Sequence, residues 1–167
     1  TLTRCRLRPW RATDLDSLVR HADDPRVART VRDQFPSPYT REDGERWLAH
    51  ATAAGRANNV AIEVDGAAVG GIGMIPGEDV YRVRAEIGYW LGYAYWGRGI
   101  MTEAVRAFTA YLLDERDFLR IEAPVFETNP ASARVLEKAG YELEVRQRRA
   151  AIKEGRVIDL LLYVRLA

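Results

Sequence analysis

The run Tyr95-Trp96-Gly97-Arg98-Gly99-Ile100-Met101 holds the residue types and spacing best suited to chemistry in this sequence. It falls between a strand pattern that ends at Leu91 and an amphipathic helix pattern that opens at Met101. Glycines at a helix entrance let the backbone come close to a ligand and take conformations closed to other residues. The first-turn N–H groups and the positive end of the helix dipole then make a site for an anion, a phosphate above all. Arg98 adds a guanidinium for a phosphate oxygen. A Walker-type loop would close with Gly-Lys-Ser/Thr, which is absent. A dinucleotide fingerprint would need a third glycine where Thr102 stands, with Glu122 as its ribose partner. That reading is a nicotinamide-dependent oxidoreductase, supported only by Gly97-x-Gly99 and Glu122. The bland alternative is a tight strand-to-helix turn without a ligand.

Other reactive groups are few. Cys5 is the only cysteine, so no internal disulfide and no cysteine-based metal site can form. It lies among arginines with no organised base, which a nucleophile needs. His21 and His50 fall on early helix patterns, where either lines an acceptor site or is an ordinary boundary residue. Trp10 and Trp47 read as core, whereas Trp90 and Trp96 flank the glycine loop.

The elements that must carry this loop follow from periodicity. An arginine-rich strand is expected over Arg4–Arg8, then a helix capped by Thr13 with Leu15, Leu18, Val19 and Ala22 at helical spacing. Pro25 opens a short helix, Phe35–Tyr39 is a proline-punctuated loop, and Thr40 caps a helix that ends near Gly55. Val60–Val64 and Ala68–Ile75 read as a hairpin turned by Asp65-Gly66, and Arg84–Leu91 as a third long strand. Met101–Leu113 is a helix, Arg120–Val125 a strand and Pro130–Ala139 a helix stopped by Gly140. Tyr141–Ala151 and Arg156–Leu166 form a last hairpin. Antiparallel strands in front and a strand–helix–strand–helix unit behind make a mixed α/β (α+β) domain, one unit over residues 1–167.

Composition narrows the class. The 167 residues carry 25 Lys+Arg against 24 Asp+Glu, a formal net charge of +1, so neither a nucleic-acid partner nor a cationic one is expected. With no long apolar run and no secretion signal, the sequence reads as cytoplasmic and without a membrane partner.

The segment AEIGYWLGYAYWGRGIMTEAV, followed by NPASARVLEKAGY, closely resembles the GNAT superfamily of N-acetyltransferases, in its ribosomal-protein-acetyltransferase-like (RimJ/RimL-type) branch. The resemblance runs from Leu7-Arg8-Pro9 to Asp159 and Tyr163. It implies a central mixed sheet of about seven strands, splayed in the middle and flanked by helices. It also implies acetyl-CoA as co-substrate, no metal, and transfer to a primary amine by direct attack in a ternary complex. By branch the acceptor is the α-amine of a protein or peptide. A small-molecule amine is the rival within the class, and a non-catalytic acyl-CoA sensor the rival outside it.

Carried onto this sequence, the resemblance puts the pantetheine arm along Arg84–Leu91, nearest Trp90 and Leu91. It puts the pyrophosphate on Trp96, Gly97, Arg98, Gly99, Ile100 and Met101, and a further cofactor contact on Asn129, which also suits a helix cap. Many relatives protonate the leaving thiolate with a tyrosine, but the matching residue is Leu136; in this branch a serine three after the asparagine is the proposed acid, here Ser132. Ser132 also reads as a first-turn serine tied to Asn129. Alternation sets Glu86, Gly88 and Trp90 on one strand face, so Glu86 is the favoured general base, against a plain salt bridge to Arg82 or Arg84. A glutamate that some relatives carry near Ala151 is missing, which leaves Asp159 as a second candidate base. The last hairpin is placed to pair across a homodimer.

Overall fold

The computed structural model describes residues 2–53 and 58–167. Gly55, where the third helix was expected to end, lies outside the described residues. The strands are β1 (Arg6–Pro9), β2 (Asn59–Val64), β3 (Ala67–Pro76), β4 (Arg84–Leu91), β5 (Arg120–Phe126), β6 (Glu142–Lys153) and β7 (Arg156–Leu166). The helices are α1 (Leu15–Ala22), α2 (Pro25–Ala28), α3 (Arg41–Thr52), α4 (Ile100–Asp114) and α5 (Pro130–Lys138). The strands form one mixed sheet in the order β1-β2-β3-β4-β5-β7-β6, as the mixed seven-stranded expectation required. The chain divides into two compact units, Thr1–Gly73 with Tyr89–Ala104, and Met74–Gly88 with Val105–Ala167.

In the first unit β1, β2 and β3 are antiparallel neighbours. The β2–β3 turn uses Asp65 (φ 50°) and Gly66 (φ 82°), the left-handed pair that suits a two-residue hairpin. Trp10, Leu18, Ala22, Tyr39, Leu48, Ala51, Ala61 and Ala68 form its core, with Leu15, Phe35, Trp47 and Trp90 packed against it. Thr40 and Asp43 cap α3 reciprocally, the Thr40 side chain accepting from the Asp43 amide and Asp43 from the Thr40 amide.

Two sequence expectations fail at the front of this unit. Thr13 does not cap the first helix: a 3-10 turn, Ala12–Asp14, runs straight into α1 with Asp14 at the cap position. The reason is a buried ion pair. Arg8, 4% exposed, makes two 2.7 Å bonds to Asp14 and a further bond to Glu63, and Asp14 also accepts from the Arg11 amide at 2.8 Å. Burial pushes the Asp14 carboxyl up, but the bonds from Arg8 and Arg11 outweigh it and hold the group below the usual carboxylate range. The first strand also starts later than Arg4, because the amides of Thr3 and Arg4 donate to Glu103 instead of joining a ladder.

In the second unit β4 and β5 are parallel, in register from Arg84↔Arg120 to Glu86↔Glu122. That ladder stops after three pairs although β4 runs on to Leu91, whereas β5 pairs with β7 along its whole length. Beyond the last pair Gly88 faces open space, with no atom within 4 Å of where its Cβ would be. Val105, Phe108, Leu112, Ile121, Leu136, Tyr141 and Tyr163 are buried here. Gly140 (φ 90°) closes α5: its amide donates to Glu137 and that of Tyr141 to Leu136, a Schellman closure.

Candidate functional site

The glycine loop belongs to the first unit and follows a 3-10 turn at Tyr93–Tyr95. Gly97 (φ 72°) and Gly99 (φ 75°) both sit in the left-handed region, where a side chain would cost about 1–2 kcal/mol. No backbone carbonyl among the described residues accepts from the amides of Gly97, Arg98 or Gly99. Ile100 and the next residues open the 15-residue helix α4, whose first-turn amides have no intrahelical acceptor. Gly97, Arg98 and Gly99 are exposed and a Cβ at Gly97 would meet nothing, whereas Ile100 and Met101 are buried and anchor the helix. Two left-handed glycines in an exposed loop at a helix N-terminus fit a pyrophosphate.

Trp96 anchors the loop. Its indole N–H donates to the Leu91 carbonyl at 2.7 Å, tying the loop to the end of β4, and its ring packs 5.2 Å from Tyr93. Trp90 meets Phe35 edge-on at 5.5 Å, and Leu91 is buried. His21, which the sequence offers either as an acceptor-site residue or as a boundary residue, lies against this segment. The imidazole faces Gly92, whose Cβ would lie 3.1 Å from Nδ1, and meets Tyr95 edge-on at 5.3 Å. Burial first, then nearby Arg20, pulls its pKa below the usual histidine value. Cys5 is held protonated, its pKa pushed up to about 11 by burial and by Glu103.

Glu86, Asn129 and Ser132 belong to the second unit. Glu86 is half-buried and in register with Glu122. Arg84 donates to Glu122 at 3.1 Å and stacks on Tyr81, while Arg82 donates to the Asp79 carbonyl. Glu122 also accepts from Arg120 at 2.7 Å, and Arg120 reaches on to Glu144. A carboxylate committed to two guanidiniums is not placed to hold a ribose, which removes the dinucleotide reading's only acidic residue. Asn129 caps α5, its side chain accepting from the Ser132 amide at 3.2 Å.

Asp159, the second candidate base, is engaged. It accepts from the Arg149 amide at 2.8 Å and from Arg146 at 2.6 Å, and these contacts hold its pKa below the ordinary range. A low-pKa carboxylate is a poor proton acceptor at neutral pH. It serves instead to pin the irregularity in β6, where Arg149 has φ 56° and the register shifts between Gln147 and Ala151. Leu136, which the resemblance matches to a tyrosine, is fully buried and has no ionisable proton to give. Among the described residues no cluster of His, Cys, Asp and Glu could hold a metal ion, and no helix is long and apolar enough to cross a membrane.

Comparison with known proteins fits this geometry. Residues 4–142 match the family described as acetyltransferase (GNAT) domain. An uncharacterized N-acetyltransferase, p20, of Bacillus licheniformis is 30% identical over 96% of this chain and 91% of its own. The ribosomal-protein-serine acetyltransferase of Escherichia coli K12 is 30% identical over 82 residues, 49% of this chain and 46% of that protein. Among solved structures, RimL, a ribosomal L7/L12 alpha-N-protein acetyltransferase in complex with coenzyme A, superposes with a TM-score of 0.86 at 20% identity, over 98% of this chain and 94% of that one. The chain belongs to the GNAT acetyltransferase family and is an N-acetyltransferase.

Proposed function

We propose that the chain, acting as one catalytic domain, transfers the acetyl group of acetyl-CoA to the α-amine of a protein or peptide in a ternary complex. The observation that carries the cofactor half is the row of amides at Gly97–Gly99 without acceptors at the start of α4. Family membership spanning both compact units supports a single catalytic domain. The α-amine acceptor is supported by the named alpha-N-protein activity of RimL, and a protein acceptor also by the ribosomal-protein-serine acetyltransferase.

In this reading the amides of Gly97 to Met101, with Arg98, hold the pyrophosphate, Trp96 fixes the loop to Leu91, and the backbone at Trp90 and Leu91 runs beside the pantetheine arm. Asn129 adds a contact to the cofactor. A C–N bond forms as the C–S bond breaks, so the amine loses one proton and the sulfur gains one. Glu86 takes the amine's proton through water, and the hydroxyl of Ser132 protonates the thiolate. No protein nucleophile is required, in keeping with a protonated Cys5.

Isothermal titration with acetyl-CoA tests the cofactor half, run on wild type and on Gly99→Glu, whose carboxylate would repel the pyrophosphate. Binding by wild type that the variant loses is expected. Thiol release is then measured with peptides bearing free N-termini and with small amines. No binding by wild type would overturn the reading, and binding without turnover on any amine would make the chain an acyl-CoA sensor.

A further inference from the structure

Arg4 is held at the entrance of α4, beside the glycine loop. Thr3 and Arg4 lie across the first turn of α4, held by the Glu103 carboxylate, which accepts from the Thr3 amide at 2.6 Å, the Thr3 hydroxyl at 2.9 Å and the Arg4 amide at 2.8 Å. This fastening lays the Arg4 side chain over Gly99: a Cβ built on that glycine would stand 3.4 Å from Arg4 Nε and 3.9 Å from Cζ. Among the described residues the guanidinium donates to its neighbour's hydroxyl, Thr3 Oγ1, at 3.5 Å, and no carboxylate lies within ion-pair distance of it. Arg98, one residue from Gly99, adds a second cation, stacked 5.3 Å from the Tyr95 ring.

Cations are disfavoured at a helix N-terminus, where the dipole is already positive and the amides point outward. Here two guanidiniums flank that end, and the one acid in the first turn, Glu103, places its hydrogen bonds on the Thr3 and Arg4 amides and the Thr3 hydroxyl and meets the Arg4 charge only through space. A local electrostatic conflict that the fold actively holds in place is the mark of a functional position. An anion lodged on the Gly97–Gly99 amides resolves the conflict, because each guanidinium then gains a charge-assisted bond.

We infer that Arg4, in the segment before β1, is a ligand of the acetyl-CoA pyrophosphate, its guanidinium lying beside Gly99 of the glycine loop. This rests on the cofactor site proposed above and adds a residue to it. The segment before β1 is thereby part of the cofactor site, and Glu103 is the residue that positions it.

The test is titration of coenzyme A and of 3′-dephospho-coenzyme A into wild type, Arg4→Ala and Arg4→Glu, with thermal melts of each protein free of ligand. Arg4→Ala should weaken both ligands about tenfold, the scale of one charge-assisted bond to a phosphate, and Arg4→Glu more. The melting temperature without ligand should stay level or rise, since a disfavoured charge has been removed. Wild-type affinity in Arg4→Ala overturns the inference, as does a lower melting temperature with unchanged affinity. A penalty that vanishes for the dephospho ligand overturns the pyrophosphate assignment. Failure of wild type to bind either ligand would instead overturn the cofactor site itself.

Discussion

Gly97 and Gly66 form a natural pair for separating strain from ligand binding. Both have positive φ, 72° and 82°, and a Cβ at either would meet no atom within 4 Å. Alanine at each position therefore suffers the left-handed backbone penalty with no steric clash, about 1 kcal/mol. For a chain of this size that lowers the melting temperature by about 2–4 °C in both variants. The consequences for binding differ. Gly66 turns the β2–β3 hairpin, whereas Gly97 lies in the loop proposed to hold the pyrophosphate, so a methyl there crowds the ligand. Losing one charge-assisted contact there weakens coenzyme A by about 10- to 100-fold. The assay is isothermal titration of coenzyme A beside thermal melts without ligand. Equal destabilisation with weakened binding in Gly97→Ala alone is expected. Affinity within about twofold of wild type in Gly97→Ala would refute the placement of the pyrophosphate on this loop.

Asp14→Asn removes one partner of buried Arg8 and leaves Glu63, so urea titration should show a loss of about 3 kcal/mol. Because Asp14 and Glu63 are both held below their ordinary carboxyl pKa values, the stability they contribute is complete above about pH 4.5 and is lost as the pH falls through their folded values. His21 has a lowered pKa, so its neutral form favours the fold: stability is complete above about pH 6.5 and falls as the ring is forced to charge below it. Melts between pH 7.5 and 5.5 should slope less in His21→Gln than in wild type; equal slopes would remove His21 as the cause. Glu86→Gln should lower kcat by about 10²- to 10⁴-fold with coenzyme A affinity unchanged by titration, and full kcat would exclude it as the base.

The sequence by itself determined the elements whose signals are local. Proline and asparagine open α5 and Gly140 closes it, Asp65-Gly66 turns β2 into β3, and alternation along Arg84–Leu91 sets Ala85 and Ile87 inward with Glu86 half-buried on the other face. Each depends on residues within a few positions of one another, where backbone sterics and capping decide. The glycine loop was legible for the same reason: two glycines and a helix start lie within six residues. Asn129 and Ser132 came only with the family's motif, since spacing alone made them a cap and its neighbour.

Long-range charge pairing was not legible. An arginine at position 8 of an arginine-rich strand gives no sign that it is the buried one, because burial depends on Asp14 and Glu63 arriving on both sides. That pairing also moved the first helix cap from Thr13 to Asp14. Glu103 reaches back about a hundred residues to Thr3 and Arg4, a contact that helps hold Arg4 over Gly99. Asp159 and Glu122 read as free carboxylates along the chain, yet the fold binds them to Arg146, and to Arg84 and Arg120. Local sterics write themselves into neighbouring residues, whereas an ion pair is decided by which distant charges the folded chain desolvates together.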